Sequence, residues 1–218
     1  MREPPKLLKK DLFGEVRLET TGGQAQIVRD VTAAPAWARP LARWLMRREA
    51  RVLAALTGMD GVPQLVGYDA STLRRSYLDG EPMHVARPSD AAYFRKASRL
   101  LRTLHRANVV HNDLAKEPNL LVRPDDSPAF IDFQLASHMS RRGRLFRLLA
   151  REDIRHLLKH KRSYCADHLT ARERAILDNP SPASRAYMRT VKPVYLFVTR
   201  RLLGWADREG AGDRGARA

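Results

Sequence analysis

The stretch "HNDLAKEPNLLVRPDDSPAFIDFQLA", His111 to Ala136, carries side chains whose types and spacing could do chemistry. Asp113 follows His111 by two residues, Asn119 follows Asp113 by six, and Asp132 follows Asn119 by thirteen. Oxygen donors of this kind suit a hard cation such as magnesium, and a carboxylate can also take a proton from an attacking hydroxyl. Aspartate and asparagine are also common in turns, so the stretch reads either as a metal-and-phosphate site or as the polar ends of a buried hairpin.

The surrounding elements must position these groups. "NLLV" and "AFID" are apolar runs flanking the loop "RPDDSP", which predicts a hairpin between Asn119 and Asp132. Upstream, Ser89-Asp90 can cap a long helix whose apolar stripe is Tyr93, Ala97, Leu100, Leu101 and Leu104. Nearer the N-terminus, "EVRLET" and "AQIVRDV" around Gly22-Gly23 predict a first hairpin. A helix over about 40–56 follows, opened by Pro40 and carrying Leu41, Trp44, Leu45, Val52 and Leu56 at helical spacing. "GMDGVPQLVGYD" and "TLRRSYLDG" predict two more short strands broken by glycine and proline. Beyond Ser137 the pattern is helical, including the amphipathic segment "KPVYLFVTRRLLGWAD", until residues 207–218, whose composition predicts disorder.

Composition bounds the partners. A chain of 218 residues with 44% hydrophobic content can bury a substantial core. Forty basic against twenty-four acidic residues give +16, which favours an anionic partner without choosing one. Cys165 is the single cysteine, so no disulfide or Cys/His zinc spacing exists, and it is expected to be a small buried or half-buried residue. No apolar run reaches the ~20 residues of a membrane span, which predicts a soluble, cytoplasmic protein, at most peripheral at the inner face of a membrane. The basic stretch Arg141–Arg162, nine Lys or Arg against two acids interleaved with leucines, predicts either a helix solvated by arginines or a surface for an anionic membrane or acidic substrate. Trp37 and Trp44 are expected to pack rather than stack on a ligand. Specific nucleic-acid binding is not expected, because zinc-finger spacing and RNA-binding aromatic signatures are missing from the sequence.

The order His111-Asn112-Asp113, Asn119, hairpin, Asp132-Phe133-Gln134 resembles the catalytic core of the protein-kinase-like superfamily, in particular its atypical bacterial branch, similar to RIO kinases and lipopolysaccharide-core kinases. "SYLDGEPM" resembles the connector between two kinase lobes, and "LLAREDIRHLLKH" the helix with an Arg-Asp pair that follows the metal-binding segment in RIO proteins. The resemblance covers most of residues 10–160. It implies an α+β, compact two-lobed fold: a strand-rich N-lobe with one helix over 1–78, a hinge at 79–83 and a mostly helical C-lobe over 84–206. It implies ATP and Mg2+ as cofactors and a protein, sugar or lipid hydroxyl as acceptor. Asp113 would be the base, Lys116 would reach the transferred phosphate, Asn119 and Asp132 would hold magnesium, and Tyr77 and Leu78 would meet the nucleotide. His111 is expected to support the loop.

Four positions depart from the family pattern. The step from Asp113 to Asn119 is one residue longer; Gln134 stands for glycine; only Gly14 remains of a glycine-rich loop; and Arg29 takes the place of the strand lysine. These departures keep open a pseudokinase, a binding or regulatory module with little or no turnover. Glu49 lies four residues after Leu45 and three and four before Val52 and Leu53, so it should face inward. The resemblance implies Arg29 as its partner; pairing along the helix surface with Arg48 or Arg51 is the alternative.

Overall fold

The computed structural model describes residues 4–179. Its first element, β1 (Lys6–Asp11), was not foreseen: as an edge strand it is almost wholly exposed, so it carries no hydrophobic alternation, and its lysines are typical of an edge. β2 (Gly14–Thr21) and β3 (Gln24–Asp30) form the expected hairpin, in register from Glu15↔Asp30 to Thr21↔Gln24. β4 (Leu65–Tyr68) and β5 (Thr72–Ser76) complete an antiparallel five-stranded sheet in the order β1-β2-β3-β5-β4. Gly14, at φ 115°, is needed for backbone packing: a Cβ there would lie 2.1 Å from the Asp30 carbonyl oxygen. The chain turns at Leu12-Phe13 directly into β2, so the β1–β2 connection is a tight hairpin instead of a long glycine loop.

Between β3 and β4 comes α1 (Arg39–Ala55), with Pro40 in its first turn. Its buried face is Ala42, Leu45, Met46, Glu49, Ala50, Val52 and Leu53. Small Ala42 and Ala50 join Val31, Ala34, Met46 and Leu73 in a cluster between helix and sheet. This rotation corrects the packing expected for Leu41, Trp37 and Trp44, which are exposed. One residue of helix turns the chain by about 100°, so Trp44 beside inward Leu45 falls on the outer face.

The second half is built on helices. β6 (Glu81–Pro82) leads into α2 (Met83–Ala86), and Asp90 caps α3 (Ala91–Arg106) by accepting from the Ala92 N–H at 2.7 Å. The short strand β7 (Val109–Val110) precedes the Asp113 loop; β8 (Leu120–Val122) and β9 (Pro128–Phe130) form the predicted second hairpin, with β6 along its edge. After Asp132, β10 (Ser137–His138) pairs with β7, then α4 (Arg144–Tyr164) and α5 (Ala171–Asp178) follow. The main core joins Val52 and Leu53 of α1 and Leu56 just after it to Phe94, Leu101 and Leu104 of α3, Leu120, Phe130 and Leu157. Cys165 is buried in it. The architecture is thus mixed α and β: an antiparallel sheet carrying α1, joined through one core to a helical part carrying a hairpin. No helix among the described residues is long and apolar enough to cross a membrane. The amphipathic segment of residues 192–207 and the tail at 207–218 lie outside the described residues.

Candidate functional site

The loop after β7 is held from below. His111 is fully buried, its Nε2 lies 3.0 Å from the Ile131 carbonyl oxygen, and its ring packs on Phe133 with centroids 4.6 Å apart. Burial pushes its pKa down, so the ring is neutral and Nε2–H donates to that carbonyl. Asp153 of α4, also buried, accepts the backbone N–H groups of His111 at 2.8 Å and Asn112 at 2.9 Å and lies 3.2 Å from His105 Nε2. A carboxylate taking two backbone donors fixes the loop that presents Asp113, with Asn112 held at φ 65°. The Arg-Asp signature in "LLAREDIRHLLKH" contains this aspartate, although its partners could only be read from the fold.

Asp113, Lys116 and Asn119 lie together. Asn119 Nδ2 donates to the Asp113 carbonyl at 2.9 Å and to its Oδ2 at 3.0 Å, and Lys116 Nζ is 3.3 Å from the same Oδ2. Both amide hydrogens are thereby used, which leaves the Asn119 side-chain oxygen as the electron donor. The longer step is absorbed by two successive tight turns: Lys116 N–H returns to the Asp113 carbonyl at 3.4 Å and Asn119 N–H to the Lys116 carbonyl at 3.1 Å. Burial, reinforced by the charge of Asp132 and opposed by Lys116 and Asn119, pushes the Asp113 pKa up to about 6. That value suits a group that takes a proton near neutral pH.

Asp132 sits just after β9 at φ 63°, in the left-handed region, with Oδ1 buried and without a hydrogen-bond partner among the described residues. Burial alone would raise its pKa, but Arg75, Arg29 and Lys116 outweigh burial and hold the carboxyl below the usual carboxylate range. The Ile131 N–H, one residue earlier, donates to the Asn119 carbonyl at 3.0 Å and ties the two oxygen-bearing residues together.

Above them is a cluster of buried charges. Glu49 faces inward and is fully buried. Its Oε2 is 3.9 Å from Arg29 Nε, beyond hydrogen-bonding range, whereas Oε1 is in direct contact with Arg75. The closest partner is therefore Arg75, not Arg29 alone. Arg75 was overlooked because "TLRRS" offers two arginines without saying which points inward. The register Ile27↔Arg75 puts it two residues from Arg29's level on the same face of the sheet. Burial and the neighbouring Arg29 pull Arg75 down to about 10 despite the attraction of Asp132. Arg29, likewise lowered by burial against the pull of Asp132 and Asp11, meets Gln134: with the amide turned so that its oxygen faces the guanidinium, that oxygen accepts from Arg29, Nε at 3.0 Å. Gln134 and Arg29 are thus in contact with each other.

Arg48 joins α1 to this region. Its Nε donates to the Ala136 carbonyl at 2.6 Å and Nη2 to the Leu135 carbonyl at 2.8 Å, so the segment after Asp132 is anchored to the helix that carries Glu49. Tyr77 and Leu78 follow β5 directly. The Tyr77 N–H donates to the Ala25 carbonyl at 3.1 Å, and neither residue hydrogen-bonds Asp113, Asn119 or Asp132. The turn to β6 passes Gly80, where a Cβ would approach the Val122 carbonyl to 2.9 Å.

Among the described residues no three His, Cys, Asp or Glu side chains are grouped as a preformed metal cage. Asn119 and Asp132 each carry a side-chain oxygen of the kind a hard cation takes. No protein-family model and no curated protein matches the chain.

Proposed function

We propose that the chain is an ATP- and magnesium-dependent phosphotransferase with a compact two-lobed, protein-kinase-like fold of the atypical bacterial type, acting on a hydroxyl of a protein, sugar or lipid. The reading rests on one observation above all: a carboxylate with a pKa of about 6, Asp113, is hydrogen-bonded to Asn119, while Asp132 keeps a buried, unpartnered oxygen beside two arginines. Asp113 accepts or orients the acceptor's proton, and Lys116 supplies a cation next to it. Asn119 and Asp132 offer their oxygens to magnesium, which when bound neutralises phosphate charge. Arg29 is the cation for the nucleotide phosphates, and Tyr77 and Leu78 lie on the segment expected to meet the base.

A second reading, a nucleotide-binding module with little or no turnover, is favoured by the contact of Gln134 on Arg29 and by the tight Leu12-Phe13 turn in place of a phosphate-cradling loop. One experiment tests both. ATP binding is titrated with and without Mg2+ for the wild type and Asp132→Ala, and ADP release and phosphate incorporation are then followed. The phosphotransferase reading expects magnesium-dependent binding lost in Asp132→Ala and turnover lost in Asp113→Asn. Magnesium-dependent binding without turnover on any acceptor, water included, supports the second reading, and no ATP binding overturns both.

A further inference from the structure

The outer face of α1 has no role in the site just described. Between Asp30 and Asp60 the chain carries five arginines and one acid, and that acid is the buried Glu49, so the exposed side of the helix is purely cationic. Arg39, Arg43, Arg47 and Arg51 are all exposed. At its N-terminal end stand three large apolar side chains in the open: Trp37 at 72% exposure, Leu41 at 50% and Trp44 at 54%. Leu41 and Trp44, three residues apart on the helix, share one side, and Trp37 stands in the turn just before it. The Arg48 guanidinium sits 5.4 Å from the Trp44 ring centre. A shallow cleft of about 350 Å³ runs beside it, lined by Trp44, Arg47, Arg48, Arg51 and His138.

Exposing three such side chains together needs a partner to cover them, and the charge says which kind. A second copy would set arginine against arginine. Residues 180–218, with eight basic and three acidic residues, are no better matched. We infer that this face docks the protein on an anionic lipid surface, Trp37, Leu41 and Trp44 entering the headgroup–acyl boundary and the arginines meeting lipid phosphates. Indoles favour that boundary, and an aliphatic residue between them adds to insertion where it would add nothing to stacking on nucleic-acid bases. α4, the more obvious basic stretch, is less suited. It spends Phe146, Ala150, Leu157 and Leu158 on the core, leaving Leu145 as its one exposed large apolar residue. The inference is independent of phosphotransfer.

The test is co-sedimentation of the full chain with vesicles of phosphatidylcholine alone, or mixed equally with phosphatidylglycerol. Binding should need the anionic lipid and fall at high salt. Trp37→Ser with Leu41→Ser should weaken it at least about tenfold with unchanged thermal unfolding, since both side chains are exposed. Arg43→Gln and Arg47→Gln should each cost about fivefold, whereas Arg147→Gln with Arg151→Gln on α4 should leave it unaltered. Failure to sediment with anionic vesicles at low salt, or full binding by the Trp37/Leu41 variant, overturns the inference. So does the finding that Trp37 and Leu41 instead govern binding of a single-stranded oligonucleotide or an acidic peptide, or self-association, with no effect on vesicles.

Discussion

Replacing Glu49 by glutamine removes one charge and almost no volume, so it isolates the role of that carboxylate. In the wild type Glu49 is fully buried, in contact with Arg75 and 3.9 Å from Arg29, and both arginine side chains are 11% exposed. Without the carboxylate two guanidiniums remain in a low-dielectric interior, with Asp132 as their remaining counter-charge. Removing one partner of a buried pair costs about 3–5 kcal/mol. That is a large part of the ~5–15 kcal/mol of a typical domain. Arg75→Met should cost less, about 1–3 kcal/mol, because the apolar replacement escapes the desolvation that pulls Arg75 down to about 10, and Glu49 keeps Arg29 nearby. Arg29→Met should cost least in stability, since Glu49 keeps its direct contact with Arg75, but most in ATP affinity. A double-mutant cycle read by urea unfolding should therefore give strong coupling for Glu49 with Arg75 and weak coupling for Glu49 with Arg29. A loss below about 1 kcal/mol for Glu49→Gln would refute the reasoning, because a buried arginine cannot lose its direct carboxylate partner so cheaply. Equal coupling to the two arginines would refute the division of labour between them.

Asp113 supplies a pH dependence of opposite origin. Its folded pKa of about 6 lies above the ordinary 3.8, so between those values the native chain holds a proton that the unfolded chain has lost. This contribution to stability is present at low pH, declines as pH rises through that window and is flat above it. Asp113→Asn should therefore stabilise the protein near pH 7 by about 1–3 kcal/mol in urea unfolding and abolish that slope, while removing turnover; a destabilised variant would mean that the carboxylate is well solvated. In the wild type, turnover should fall as pH drops below about 6. Gln134→Gly should free Arg29 and tighten ATP binding by about tenfold, the worth of one hydrogen bond to a charged group; weaker binding would show that Gln134 instead aims Arg29 at phosphate.

Local chemistry alone settled much of this protein. The Gly22-Gly23 turn, Asp90 as a cap, Pro40 at a helix start and the proline- and aspartate-rich loop between two apolar runs each act within a few residues, so the elements they bound were legible. The inward turn of Glu49 was legible too, because helical periodicity ties it to Leu45 and Val52. What the chain could not announce depends on which face meets which. The exposure of Leu41 and Trp44 follows from the rotation of α1 on the sheet, and hydrophobicity by itself pointed the other way. Arg75 became the partner of Glu49 through the β3–β5 register, a pairing across 26 residues of sequence. Asp153 reached the His111 loop from 42 residues away, and Gln134 found Arg29 across the site. Turns and caps are decided by neighbours in sequence; buried charge pairs are decided by whatever packing brings into the same low-dielectric space, and only the tertiary structure specifies that.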